Sequence, residues 1–203
     1  MKARDMPYEN IYVGIDIETT GLKPAEGAIL EIATIVISPE LGELGAYAIV
    51  VAPAKPLPAM HPRVREMHEA NGLLAEIAAG RGVPLELAIA RVRRFWARYG
   101  VVPSAPAGQK PPLFGASVQF DRAWLDHHCP ALTACLHYRN ADISGMREML
   151  RRMRPDWSWA PPTLGGRASA HRALPDIRAS LRLAREIGTK VGGRLAVEVP
   201  WAG

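Results

Sequence analysis

The sequence predicts an α/β domain built on a mixed β-sheet, and three observations lead there. Segments rich in β-branched residues, Tyr12–Glu18, Ile29–Ser38 and Ala46–Val51, follow one another through short connections near the N-terminus, the arrangement of an antiparallel meander. Beyond them helical and extended patterns alternate, which brings helices onto the sheet and makes it mixed. Of the 203 residues, 48% are hydrophobic and 22% charged, proportions that suit one globular domain with an enclosed core.

The first two strands are joined by Thr19–Gly27, punctuated by Gly21, Pro24 and Gly27, and the next two by Pro39–Gly45. The proline-rich stretch around Ala52–Pro62 leads into short helices over Arg63–Ala79. Pro84–Tyr99 reads as a longer helix: Leu85, Ala88, Ile89, Val92, Phe95, Trp96 and Tyr99 share one face, Pro84 suits its first turn and Gly100 its end. Val101–Pro112, with four prolines, is a surface loop. Leu113–Ser117 is a short strand, Gln119–His128 a helix, and Tyr138–Ile143 the last strand, followed by a helix to Met153 whose arginines read as a solvated face. Pro155–Arg167 is a loop, and Asp176–Ile187 an amphipathic helix with Ile177, Leu181 and Ala184 inward and Arg178, Arg182 and Arg185 outward. No internal repeat is visible. The reading is a single domain over residues 1–203, with its core over about 9–188 and a tail over 191–203.

A net charge of +5 and an isoelectric point near 9.5 suit a polyanionic partner. Cys129 and Cys135, the only cysteines, have neither a disulfide framework nor a zinc spacing and read as reduced thiols of a cytoplasmic protein. No apolar stretch follows Lys2 and Arg4, so a secretory signal is not expected; the most apolar run, Ala28–Ile37, holds Glu31 and is too short to span a membrane.

The chemistry-bearing residues are acidic. Asp16 and Glu18 stand two apart at the end of the first strand, so both side chains leave the same face. Two carboxylates on a strand that is otherwise buried need a cationic partner, and a pair of divalent ions is a natural one. Asp121 and then His171-x-x-x-x-Asp176 follow later. Individually each has a plain reading: strand-end charges for Asp16 and Glu18, helix N-terminal charges for Asp121 and Asp176, a surface histidine for His171.

Together these segments, IDIETTGL, FGASVQFDRAWL and ASAHRALPDIRAS, resemble in order and spacing the DEDDh family of 3′-to-5′ exonucleases. With GASVQFDR, LHYRNADIS and MHEANGL added, the chain resembles the oligoribonuclease branch of that family from about Ile11 to about Ile187. The resemblance implies a ribonuclease H-like fold with a central mixed five-stranded sheet flanked by helices. It implies hydrolysis of short single-stranded RNA, dinucleotides in particular, to mononucleoside 5′-monophosphates by two divalent ions, Mg²⁺ or Mn²⁺, about 3.5–4 Å apart. Asp16 would bridge the ions, Glu18, Asp121 and Asp176 would complete their shells, and His171 would take the proton from the attacking water.

The resemblance carries further positions. Leu22 would wedge against the terminal base, although an exposed loop leucine is its plain reading. Ser117 and Arg139, helped by Ser144 and His68, would hold a 5′ phosphate; a surface ion pair is the alternative for Arg139. Tyr138, with His137 in its patch, would reach a substrate bound by a second copy, which implies a homodimer. The family's stacking tryptophan five residues before His68 is replaced here by Arg63. Glu31 reads either as a buried acid beside the site or as an edge charge, and His127-His128-Cys129 is discounted as a metal cluster. The competing activity is a DNA-directed or general DEDDh exonuclease of the proofreading or trimming type; a binding module without catalysis is a third reading.

Overall fold

The computed structural model describes residues 10–53, 57–157 and 172–192. Its centre is a five-stranded mixed sheet. The strands are β1 (Tyr12–Thr19), β2 (Ile29–Ile37), β3 (Glu43–Val50), β4 (Leu113–Gly115) and β5 (Asn140–Asp142), in the order β3-β2-β1-β4-β5. β1, β2 and β3 form the expected antiparallel meander. β4 lies parallel to β1, and β5 parallel to β4.

The helices are α1 (Pro62–Ala70), α2 (Leu73–Ala78), α3 (Leu85–Ala97), α4 (Gln119–His128), α5 (Pro130–Thr133), α6 (Ile143–Met153) and α7 (Ala173–Gly192). β2 is buried along its whole length, because helices cover both faces of the sheet, and this explains its unbroken apolar run. On one face Val13, Ile15 and Ile17 of β1 join Ala88, Val92, Phe95 and Trp96 of α3 and Trp124 and Leu125 of α4. Trp96 Nε1–H donates to Thr34 Oγ1 (2.9 Å), whose hydroxyl donates to Gly14 O (2.9 Å), so the indole has a polar partner at the centre of the apolar layer. On the other face Ile177, Leu181, Ala184 and Ile187 of α7 cover Ala33, Ile35 and Ile37 of β2 and Phe114 of β4.

Several boundaries differ from the sequence reading, each for a packing reason. β3 begins at Glu43 rather than Ala46: Leu44 and Tyr47 pack under α3, and Tyr99 donates to Leu44 O (3.2 Å), so the strand extends back through Gly45. α7 begins at Ala173, before Pro175, because Ala173 N–H donates to Glu31 Oε2 (3.1 Å); Pro175 still falls in the first turn, where it is tolerated. At its other end α7 takes in Val191 and Gly192, read as tail. β5 covers Asn140–Asp142 only, since Tyr138 turns into solvent and Ile143 opens α6. Short 3₁₀ turns at Pro24–Glu26 and Ala107–Gln109 sit inside segments read as loop. Most of the loop expected over Pro155–Arg167, and the tail beyond Gly192, lie outside the described residues.

Candidate active site

β1 supplies the centre of the site. Val13, Ile15 and Ile17 enter the α3 side of the sheet, so Tyr12, Gly14, Asp16 and Glu18 must face α7. At Gly14 a Cβ would lie 2.8 Å from Ile177 Cγ2 and 3.3 Å from Ile37 Cδ1. The missing side chain therefore lets α7 settle directly on β1, and Asp176, the residue before Ile177, arrives beside Asp16. Among the described residues, ligand atoms of Asp16, Glu18 and Asp176 lie within 4.8 Å of one another. A register shift between Glu18 and Thr19 turns the end of the strand at the same place.

Asp121 reaches the same end of β1 from α4. It is buried, and its Oδ1 accepts the Ile17 N–H (3.1 Å), the amide between Asp16 and Glu18. Strand β4, parallel to β1, carries the chain to that end before α4 starts, which places Asp121 there.

This gathering is electrostatically unfavourable by itself. Burial, then the charges of Asp121, Glu18 and Asp176, hold Asp16 well above the usual carboxylate range. Burial, then Asp176 and Glu31, pushes Glu18 up to about 9, against a downward pull from Arg172. Burial raises Asp121 to about 7 despite the Ile17 amide. Carboxylates so placed ionise together only beside cations. Their donor atoms are all oxygen, which fits hard divalent ions. The cluster can therefore bind a divalent metal.

Glu31 proves to be a buried acid. It is the cross-strand partner of Glu18, is 3% exposed, and is held by Arg172 through Nε (3.0 Å) and Nη2 (2.8 Å). Arg172 also donates to Glu76 of α2 (2.8 Å), so one guanidinium ties β2, α2 and the start of α7 together. His171, the residue before it, lies outside the described residues.

Leu22 projects into solvent, 81% exposed, from the turn after β1, where Thr19 Oγ1 donates to Gly21 O (2.7 Å). His68 on α1 is buried instead: its Nε2 is 2.9 Å from Thr19 O and its Nδ1 3.9 Å from Glu18 Oε2. It thus stands behind Glu18. Arg63 is exposed at the start of α1.

Ser117 and Ser144 meet at the C-terminal ends of β4 and β5, with Ser117 Oγ–H directed at Ser144 Oγ (3.4 Å). Arg139 precedes β5 and is exposed, with its guanidinium 5.1 Å from the centre of the Tyr138 ring. Tyr138 is 69% exposed and stacks on His137. His127 and His128 do not point apart as expected of adjacent helical residues, since their rings touch edge to face at 4.6 Å. His128 bonds Pro24 O through Nε2 (2.8 Å), and buried Cys129 is a free thiol pushed up to about 12.

Sequence reading passed over Gly14, Asp142 and the Arg172–Glu76 bond. A glycine inside a strand pattern signals close approach, and an aspartate just before a helix signals a cap. The arginine clamp has no local signal.

A mixed sheet flanked by helices, with buried and half-buried acids gathered at the end of its central strand, fits a hydrolytic nuclease of the ribonuclease H-like fold. The family model described as exonuclease (RNase T) matches residues 13–184. Oligoribonuclease of Streptomyces avermitilis is 40% identical over 171 residues, covering 83% of this chain and 80% of that protein. Oligoribonuclease of Mycolicibacterium paratuberculosis is 38% identical over 172 residues, covering 84% and 76%. In three dimensions the chain is similar to Escherichia coli exonuclease I in complex with single-stranded DNA (TM-score 0.69, 19% identity, 93% of this chain and 42% of that one). It is also similar to exonuclease I of Methylocaldum szegediense (TM-score 0.66, 23% identity, 89% and 40%). The chain thus spans about two fifths of those longer chains. It belongs to the RNase T exonuclease family and, within it, to the oligoribonucleases.

Proposed function

We propose that this 3′-to-5′ exonuclease degrades short oligoribonucleotides, dinucleotides in particular, to mononucleoside 5′-monophosphates, working as a single exonuclease domain in the cytoplasm. The observation that carries the reading is the convergence of Asp16, Glu18 and Asp176, with Asp121 beside them. Asp16, Glu18, Asp121 and Asp176 would hold two Mg²⁺ or Mn²⁺ ions. When bound, these supply an activated water and positive charge against the phosphoryl oxygens.

The protein's own groups do the rest. His171, five residues before Asp176, accepts the proton of the attacking water. Leu22 lies against the terminal base. Arg139, Ser117 and Ser144 take the 5′ phosphate through charge-assisted and hydroxyl hydrogen bonds, closing the site upstream and favouring the shortest substrates. His68 supports Glu18 from behind rather than reaching solvent. A second copy of the chain contributes Tyr138. Its exposed ring, together with the exposed Met146, Met149 and Met153 on α6, supports a homodimer.

The test is a cleavage time course in Mg²⁺ with 5′-phosphorylated RNA of two, five and twenty nucleotides. Rapid loss of the dinucleotide and slow loss of the longest RNA are expected. Equal or faster loss of the longest RNA would make the protein a general exonuclease.

A further inference from the structure

The hydroxyls of Ser117 and Ser144 come from different segments, one after β4 and one on α6, and a single carboxylate joins them. Asp142 Oδ1 accepts three backbone amides: Ser117 N–H (3.1 Å), Ser144 N–H (2.9 Å) and Gly145 N–H (3.2 Å). The first of these is not part of capping α6; it crosses 25 residues to the β4–α4 connection. Ser117 is held there at φ 57°, a left-handed conformation that a non-glycine residue keeps only when its surroundings impose it. The Gln119 side-chain amide lies against the same groups, and in the orientation that turns its nitrogen toward them it donates to Asp142 Oδ2 (3.1 Å) and to Ser117 O (3.3 Å). Ser117 is therefore bound on both sides of its strained backbone, its N–H by Asp142 and its carbonyl by Gln119 and the Phe120 N–H (3.1 Å), and Asp142 is the group that joins Ser117 to the start of α6.

From this geometry we infer that Asp142 is a positioning residue that sets the selectivity for a 5′-phosphorylated end, by holding Ser117 and Ser144 in one constellation. The inference rests on the proposed placement of the 5′ phosphate at these serines. Asp142 does not touch the phosphate. It occupies the Ser144 and Gly145 amides at the start of α6, which leaves the phosphate to the two hydroxyls and Arg139. Oδ1 needs three donors at once to fix both segments. A group that satisfies only the helix leaves Ser117 free to relax to a negative φ and carry its hydroxyl away from Ser144.

The experiment compares kcat and KM for RNA dinucleotides with a 5′ phosphate and with a 5′ hydroxyl, in Mg²⁺, for the wild type, Asp142→Ser and Asp142→Asn. Serine caps α6 as well as aspartate does, but its single short arm does not span to Ser117. Asparagine keeps the accepting oxygen. The wild type should prefer the phosphorylated dinucleotide. Asp142→Ser should lose about tenfold of that preference through KM, the effect of one misplaced charge-assisted hydrogen bond. Its rate on the 5′-hydroxyl substrate and its melting temperature should stay near wild type. Asp142→Asn should keep or increase the preference. A wild-type preference undiminished in Asp142→Ser overturns the inference while leaving the proposed phosphate contacts in place. A uniform loss on both substrates overturns it too, because it shows a merely structural role. No preference in the wild type removes the phosphate contacts themselves, and this inference with them.

Discussion

Raising the pH in the absence of metal should destabilise this protein, and Glu18 should be a main cause. Burial and the Asp176 and Glu31 charges lift Glu18 from its ordinary 4.5 to about 9 in the folded chain. Between those values the folded chain holds a proton that the unfolded chain has released. Stability from Glu18 is then fully present below about pH 4.5 and is lost as the pH rises toward 9. Each pH unit in that window corresponds to about 1.4 kcal/mol. Going from pH 5 to pH 7 should thus remove roughly 3 kcal/mol, or about 6–12 °C of melting temperature in a domain of this size. The assay is thermal unfolding by circular dichroism in EDTA at pH 5, 6, 7 and 8, for the wild type and Glu18→Gln. Glutamine keeps the shape and does not titrate, so the difference between the two curves reports Glu18 together with the effect of its charge on Asp16. Mg²⁺ should stabilise the wild type more at pH 8 than at pH 5, because it favours the ionised cluster. An unchanged slope in Glu18→Gln, or equal Mg²⁺ stabilisation at both ends, would refute the reasoning.

Two substitutions probe how the cluster is assembled, and a third probes the proposed contact with the terminal base. Gly14→Ala places a methyl 2.8 Å from Ile177 Cγ2; it should cost about 1–3 kcal/mol in urea unfolding and at least about tenfold in kcat as α7 carries Asp176 away. Arg172→Met strips Glu31, which is 3% exposed, of its cation; a loss on the order of 3–5 kcal/mol is expected in the same measurement, much of it recovered by adding Glu31→Gln. Leu22→Ala removes an 81% exposed side chain; it should leave stability within about 0.5 kcal/mol and raise KM for the dinucleotide.

What was legible in the sequence followed from local chemistry. The β-branched runs of β1 and β2 and the apolar face of α3 specify their own geometry, and the structure places them where their patterns indicate. Asp16 and Glu18 share a face because strand geometry requires it. Their meeting with Asp121 and Asp176 was legible only through the resemblance of three separated segments, since no local rule places α7 on β1. Other features depend on pairing across the fold. Glu31 could not be assigned without Arg172, which lies 141 residues away. His68 lies on a helix that is mostly polar, yet it is buried because α1 packs against the end of β1 at Thr19 and Glu18. α7 starts earlier than its local pattern indicates because the Glu31 carboxylate caps Ala173 from strand β2.

Asp16, Glu18, Asp121 and Asp176 are proposed to hold two divalent ions that make hydrolysis possible, and the rest of the proposed mechanism depends on that assignment. Calorimetric titration of the metal-free protein with Mn²⁺, run alongside dinucleotide turnover at each point and repeated for Asp16→Asn, tests it most directly. Two ions per chain are expected, with turnover that follows their occupancy and the loss of both binding and turnover in Asp16→Asn. Full turnover in EDTA, or undiminished Mn²⁺ binding without the Asp16 carboxylate, would contradict that assignment.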